Sequence, residues 1–192
     1  MPEPVAVLEP WSNFYIVAGT AAATLTGLMF VVISLVDRST PRSHDAIAMF
    51  STPTVLHFCE ALFVSAVLIA PWKASLGIAS LLIAGTGIYG ISHVAWAVFR
   101  ARRVRTYKPD IEDWISYTAV PIVAYITITA GAVYLNVAPA RALFVLAGAI
   151  VLLIFIGIRN AWDTSTYIIV SDDAEPKALV AEADSTTGSV DR

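Results

Sequence analysis

The chain has 192 residues and a formal net charge of -3, with 57% of its residues hydrophobic and 14% charged, against roughly 45–50% and 25% in soluble domains. That balance excludes an ordinary soluble core, and the split between basic clusters and an acidic C-terminal end leaves no nucleic-acid footprint. The single cysteine, Cys59, excludes an intramolecular disulfide and any multi-cysteine metal centre, and is expected to be a small buried hydrophobe.

The N-terminal stretch carries Glu3 and Glu9 but no Lys or Arg. This is the wrong charge for the n-region of a signal peptide, so the first apolar segment is expected to stay attached. No myristoylation or prenylation motif is present. A membrane span needs about 20 apolar residues to cross about 30 Å of hydrocarbon. Five segments meet that requirement: Phe14 to Val36, Ile47 to Ala70, Leu76 to Phe99, Trp114 to Leu135, and Ala142 to Ile158, the last extendable backwards to Ala138. The predicted fold is therefore an all-α, polytopic transmembrane bundle of five spans over residues 1–170.

Segment one carries Gly19, Ala23 and Gly27 at intervals of four, a spacing that lets helices approach closely and reads as helix packing. Ser43 with Asp45 are predicted to cap segment two, and Asp110 with Asp113 segment four. Pro71 and Pro139 are read as stop signals after segments two and four. Arg38 and Arg42 follow segment one, Arg100, Arg102, Arg103, Arg105 and Lys108 follow segment three, and Arg159 follows segment five. The opposite side has only Lys73 and Arg141. Short loops rich in Lys and Arg stay cytoplasmic, which puts the N-terminus outside and the C-terminus in the cytoplasm of a multi-pass inner-membrane protein. The basic cluster Arg100 to Lys108 fixes topology and meets lipid headgroups, with Asp110, Glu112 and Asp113 as partial neutralisers.

Beyond Ile158 the sequence RNAWDTSTYIIV predicts a further turn or two of helix at the interface, with Trp162 and Ile169 on one face. Residues 171–192 are acidic and poor in large apolar side chains, and are expected to form a disordered cytoplasmic tail. A shift of 68 residues places Asp45, Pro53 and Pro71 on Asp113, Pro121 and Pro139. If this echo is a true repeat, it is a parallel one, because two spans separate equivalent helices.

The chemistry centres on segment two, which reads TVLHFCEALF over Thr54 to Phe63. A charged carboxylate at half depth costs on the order of 3 kcal/mol even on the lenient insertion scale, so Glu60 must face other helices or a wet cavity. His57 precedes it by three residues, on the same helical face and in reach to share a proton. Pro53, one turn before His57, removes a helix hydrogen bond and bends the segment, and Pro121 does the same in segment four. Tyr117, Pro121, Tyr125 and Thr129 form a polar-aromatic stripe in which Tyr125 is the best hydroxyl partner for His57 or Glu60.

Three readings of the pair stand: a structural polar clamp, a proton-linked conduit or gate, and a metal site completed by His93. The Glu-x-x-His order of helical di-iron bundles is reversed here and occurs once, so no metal, cofactor or enzymatic activity is expected. GTGIYG, Gly85 to Gly90, lies inside a span with the wrong spacing for a nucleotide fingerprint.

The stretch WSNFYIVAGTAAATLTGLMFVVISL, Trp11 to Leu35, resembles a widespread group of small prokaryotic polytopic membrane proteins whose first helix reads F-x-x-x-G-x-x-A-A-x-L-x-G-L-x-F-V-x-x-S. Phe14 or Tyr15 opens the pattern, followed by Gly19, Ala22, Ala23, Leu25, Gly27, Leu28, Phe30, Val31 and Ser34. The resemblance implies a membrane fold and no particular chemistry. The function expected from these observations is an oligomeric channel or transporter-like conduit with a proton-sensitive Glu60/His57 pair. The alternative is a non-catalytic membrane interaction protein that uses its small-residue helix faces and acidic tail. The expected partners are the lipid bilayer, further copies of the chain and, on the alternative reading, another membrane protein.

Overall fold

In the computed structural model the backbone is described for residues 4–35, 41–72, 76–103 and 114–187, and side chains for residues 6–34, 52–72, 76–99 and 114–166. The described backbone is helical throughout apart from short turns. A short helix, α1 (Pro4–Leu8), and a 3-10 turn (Glu9–Trp11) lead into α2 (Ser12–Leu35). Then follow α3 (Pro41–Ile69), α4 (Gly77–Arg103), a π turn (Ile115–Ala119), α5 (Val120–Tyr134) and α6 (Pro139–Thr187). Five helical stretches are long and apolar enough to cross a membrane: Ala6–Ser34, Thr52–Ile69, Gly77–Phe99, Ile115–Tyr134 and Pro139–Thr166.

Helices α3, α4, α5 and α6 form a ring in which each packs on the next, and α2 lies outside it, mainly along α3 and more lightly on α6. The interior is apolar, as helices in lipid require, and backbone polar groups are satisfied within the helices. Polar ties between the elements include two away from Glu60. The Tyr15 hydroxyl donates to the Leu143 carbonyl at 2.9 Å and holds α2 to α6. Ser80 donates to the Ala132 carbonyl at 2.6 Å and accepts from Asn136 at 2.7 Å, holding the start of α4 to the end of α5.

Several expectations need correction. Within this chain only Gly19 of the segment-one stripe is a packing position: a Cβ there would lie 3.1 Å from Cβ of Ser65, whereas Gly27 has open space and Ala23 faces outward. The buried face of α2 runs instead through Tyr15, Ala18, Ala22 and Met29. Close approach elsewhere depends on glycines that the stripe did not include. On α4, Gly90 lies under the Tyr125 ring and Gly87 lies against Thr129, where its Cβ would be 3.0 Å from the Tyr125 carbonyl oxygen. On α6, a Cβ at Gly157 would be 2.5 Å from the Phe58 ring.

Cys59 is exposed, not buried. It belongs to the outward stripe of α3 with Thr52, Phe63 and Ala66, where a thiol is apolar enough to meet lipid. Pro139 opens α6 instead of merely ending its predecessor, since a proline loses nothing at the first helical position. Likewise α3 begins at Pro41, ahead of Ser43 and Asp45, whose side chains lie outside the described residues. Helix α6 continues unbroken to Thr187, through the stretch for which composition predicts no fixed structure. Its Ala, Leu, Glu and Lys residues are good helix formers, and a scarcity of large apolar groups bears on packing more than on local helix formation. The side chains of Arg100, Arg102, Arg103, Arg105 and Lys108, and the caps Asp110 and Asp113, lie outside the described residues.

Gly90→Ala and Gly157→Ala are each expected to destabilise the bundle by about 1–3 kcal/mol through overpacking. Gly27→Ala is expected to be neutral or slightly stabilising, because the space is open and alanine favours helix. Thermal unfolding in detergent, followed by helical circular dichroism, distinguishes the two classes.

Candidate functional site: a buried Glu60, His57 and Tyr125 cluster

Helix α3 presents Thr54, His57, Phe58, Glu60 and Ala61 to the interior, since positions three and four apart share a face. His57 is 1% exposed, Glu60 4% and Tyr125 0%. His57 Nδ1 and the Tyr125 hydroxyl are 2.7 Å apart. Gly90 makes room for this arrangement, because its missing side chain lets the Tyr125 ring lie against α4 while its hydroxyl reaches α3.

Glu60 turns the other way, to a side-chain hydrogen bond with Thr86 of α4. The Thr86 hydroxyl also lies 2.9 Å from the Ile83 carbonyl, to which it donates. A hydroxyl has one hydrogen. While Thr86 donates it to Ile83 it cannot also donate it to Glu60, so the two acceptors compete for one hydrogen.

The two titratable residues therefore do not share a proton with each other directly. His57 Nε2 and Glu60 Oε2 are both buried without a hydrogen-bond partner. The i, i+3 spacing leaves an angular offset around α3, and the ring of helices uses it to send His57 to α5 and Glu60 to α4. His93 is half-buried on α4, its ring centroid 6.4 Å from those of Tyr89 and Trp96, and it lies within electrostatic range of His57. Glu60 and Tyr89 are similarly close to Tyr125. Among the described residues no three His, Cys, Asp or Glu side chains converge to hold a metal ion, so the proposed grouping of Glu60, His57 and His93 is not assembled.

Both helices that supply the cluster carry a proline one turn earlier, and in α5 a π turn precedes it. Pro53 lies inside α3. Pro121 is buried in the first turn of α5, directly after the π turn, where Val120 N–H bonds to the Ile115 carbonyl five residues back. A proline cannot donate to the carbonyl four residues before it, so the helix locally widens to reuse its backbone groups. The stripe on this segment faces inward: Pro121 and Tyr125 are buried, Tyr117 and Thr129 half-buried.

Sequence reasoning passed over three contributors. Thr86 lies within GTGIYG, where attention went to the glycines. Asn160, fully buried with neither amide atom partnered, follows Arg159 in a stretch read as interfacial. Ser116, 1% exposed, accepts a hydrogen bond from Arg159. An isolated polar residue in an apolar run was the available signal for each. Compared with protein-family models, curated proteins and solved structures, the chain matches none of them.

Tyr125→Phe is expected to cost about 1–3 kcal/mol of stability, because it strands His57 Nδ1 in addition to Nε2. Adding His57→Phe should return part of that loss. A double-mutant cycle read by thermal unfolding checks it, with a coupling of about 0.5–3 kcal/mol expected for hydrogen-bonded neighbours.

Proposed function

We propose that this chain is a multi-pass inner-membrane protein, with its N-terminus outside and C-terminus cytoplasmic, that acts as a proton-linked conduit or transporter. Glu60 and His57 are its proton-exchanging groups, Tyr125 and Thr86 hold them, and the breaks at Pro53 and Pro121 let α3 and α5 bend. The observation that carries this reading is the pair of unpartnered buried atoms, Glu60 Oε2 and His57 Nε2. A purely structural clamp is stabilising when its polar atoms are satisfied, and a half-satisfied one costs stability. Atoms left without protein partners at a titratable pair suit groups that exchange partners during work. The groups within electrostatic or hydrogen-bonding range of the pair are His93 and Thr86 from α4 and Tyr125 from α5.

One chain alone buries Glu60, so hiding the carboxyl does not require an oligomer. Association of copies is supported instead by the outward-facing Ala23 and Gly27 of α2, small residues suited to contact with another helix. The same feature supports the alternative of a non-catalytic membrane interaction protein. The orientation is supported by the excess of Lys and Arg in the connections on one side.

The test is flux in reconstituted vesicles across a pH step, comparing wild type with Glu60→Gln. Wild type is expected to carry pH-driven flux and Glu60→Gln to fall to the leak of empty vesicles. Leak-level flux in both proteins rejects the conduit, and co-purification of a partner with and without residues 171–192 then examines the interaction reading.

A further inference from the structure

Buried polar side chains are unevenly distributed along the bundle. From Glu60 towards the N-terminal end of α3 the interior contains His57, Tyr125 and Thr54, then Asn160 and Thr164 of α6 and Ser116 before α5, each no more than 4% exposed. The register of α3 on α6 is set by Gly157 against Phe58. With antiparallel neighbours this brings Asn160 to about the level of Thr54 and Thr164 one turn further out. At 1.5 Å per residue the stretch from Glu60 to Thr164 covers about 13 Å, a little under half of a ~30 Å hydrocarbon layer. About level with Asn160, Arg159, itself exposed, donates to Ser116.

From Glu60 in the other direction the centre of the bundle is lined by apolar side chains. Val64, Ile83, Ile128, Leu146, Ile150 and Leu153 are all 0% exposed and belong to one contiguous apolar cluster. The buried hydroxyls on that side lie in interfaces between helix pairs: Ser65 sits beneath Gly19 of α2, and Ser80 is tied to the Ala132 carbonyl and Asn136. Among the described residues, five buried side-chain atoms have no partner, and four of them lie on the polar side: His57 Nε2, Glu60 Oε2 and both amide atoms of Asn160. Buried groups of this kind are ordinarily satisfied by water.

We infer that the bundle contains a half-channel: a one-sided water path from the end beyond Thr164, past Asn160, Ser116 and Thr54, to Glu60, closed beyond Glu60 by the apolar plug. Its ligand is water, with protons exchanged through it. It gives Glu60 access to a single side of the membrane in this conformation, so transport requires a movement and a standing open pore is ruled out. The inference rests on the proton-linked reading for its purpose, and on the distribution of side chains for its course.

The test uses full-length protein with Cys59→Ser as background and the small, membrane-impermeant reagent 2-(trimethylammonium)ethyl methanethiosulfonate applied to one side of sealed vesicles at a time. Thr166→Cys marks the Arg159 end and Val137→Cys the opposite end, since both native residues are exposed. Thr54→Cys and Asn160→Cys are expected to react only from the side on which Thr166→Cys reacts, and faster than the lipid-facing Phe155→Cys. Val64→Cys and Ile150→Cys are expected to react from neither side. Ser116→Cys reads the same path should either buried variant fail to fold. The half-channel is overturned if the path positions react no faster than Phe155→Cys, if they react from the Val137 side, or if the plug positions react. Flux and reactivity fail separately: leak-level flux together with one-sided labelling would remove the conduit and leave the water path standing.

Discussion

A carboxyl at half depth in a helical bundle has to be met by groups from a neighbouring helix, because the backbone of its own helix is already committed to internal bonds. Much of the arrangement here follows from that need at Glu60. Thr86 can meet it only if α4 comes close to α3, and α4 is positioned by its fit to α5. That fit depends on Gly87 and Gly90, whose missing side chains admit Thr129 and the Tyr125 ring. The same approach that brings Tyr125 onto α4 sends its hydroxyl across to His57. The two titratable residues and two of the glycines in GTGIYG are thus parts of one packing solution.

Parts of that solution recur at one interval along the chain. His57 and Tyr125 are 68 residues apart, the same interval that relates Pro53 to Pro121 and Pro71 to Pro139 in the sequence. The shift carries α3 onto α5 and α4 onto α6. It also carries the Gly90 and Tyr125 contact onto Ile158 and His57, one residue along each helix from the observed Gly157 and Phe58 contact. A proline lies one turn before each of His57 and Tyr125. The recurrence stops where chemistry enters: the residue 68 positions after Glu60 is Ile128, which is fully buried in the apolar plug.

The sequence made the span count, the buried Glu60 and His57, and Tyr125 as the hydroxyl partner legible, because each follows from a local rule: apolar run length, the cost of a polar group in lipid, and a four-residue stripe. What it left hidden depends on register between helices. The outward turn of Ala23 and Gly27 could not be read, since small residues are equally common on faces that pack within a chain and between chains. Nor could the divergence of His57 and Glu60 to different helices, because a shared helical face does not say how many neighbours that face meets. The π turn was foreshadowed only by Pro121, and a proline announces a break without specifying its form. Thr86 and Asn160 matter because of what lies opposite them, which no window along one segment contains.

The polar asymmetry of the interior constrains what any movement has to achieve. Helix α3 meets α4 over a much smaller surface than α4 meets α5, so the Glu60 and Thr86 contact bridges one of the thinner seams of the ring. A change of protonation at Glu60 reverses which partner donates: a neutral carboxyl can give its hydrogen to Thr86, whereas a carboxylate needs Thr86 to release Ile83 and donate to it instead. The competing bond is internal to α4, so this switch loosens a side-chain tie in one helix as it tightens a tie between two. Bending at Pro53 would move the inner half of α3, with Glu60, relative to that seam while its outer end stays in place. The plug beyond Glu60 is made of large, fully buried aliphatic side chains interlocked between several helices, and opening it by separation would expose many of them at once. A shift at the seam would change Glu60's partners, but α3 also packs extensively on α2 and α6 and contributes Val64 to the plug, so any such movement has to slip those contacts as well as the thin one.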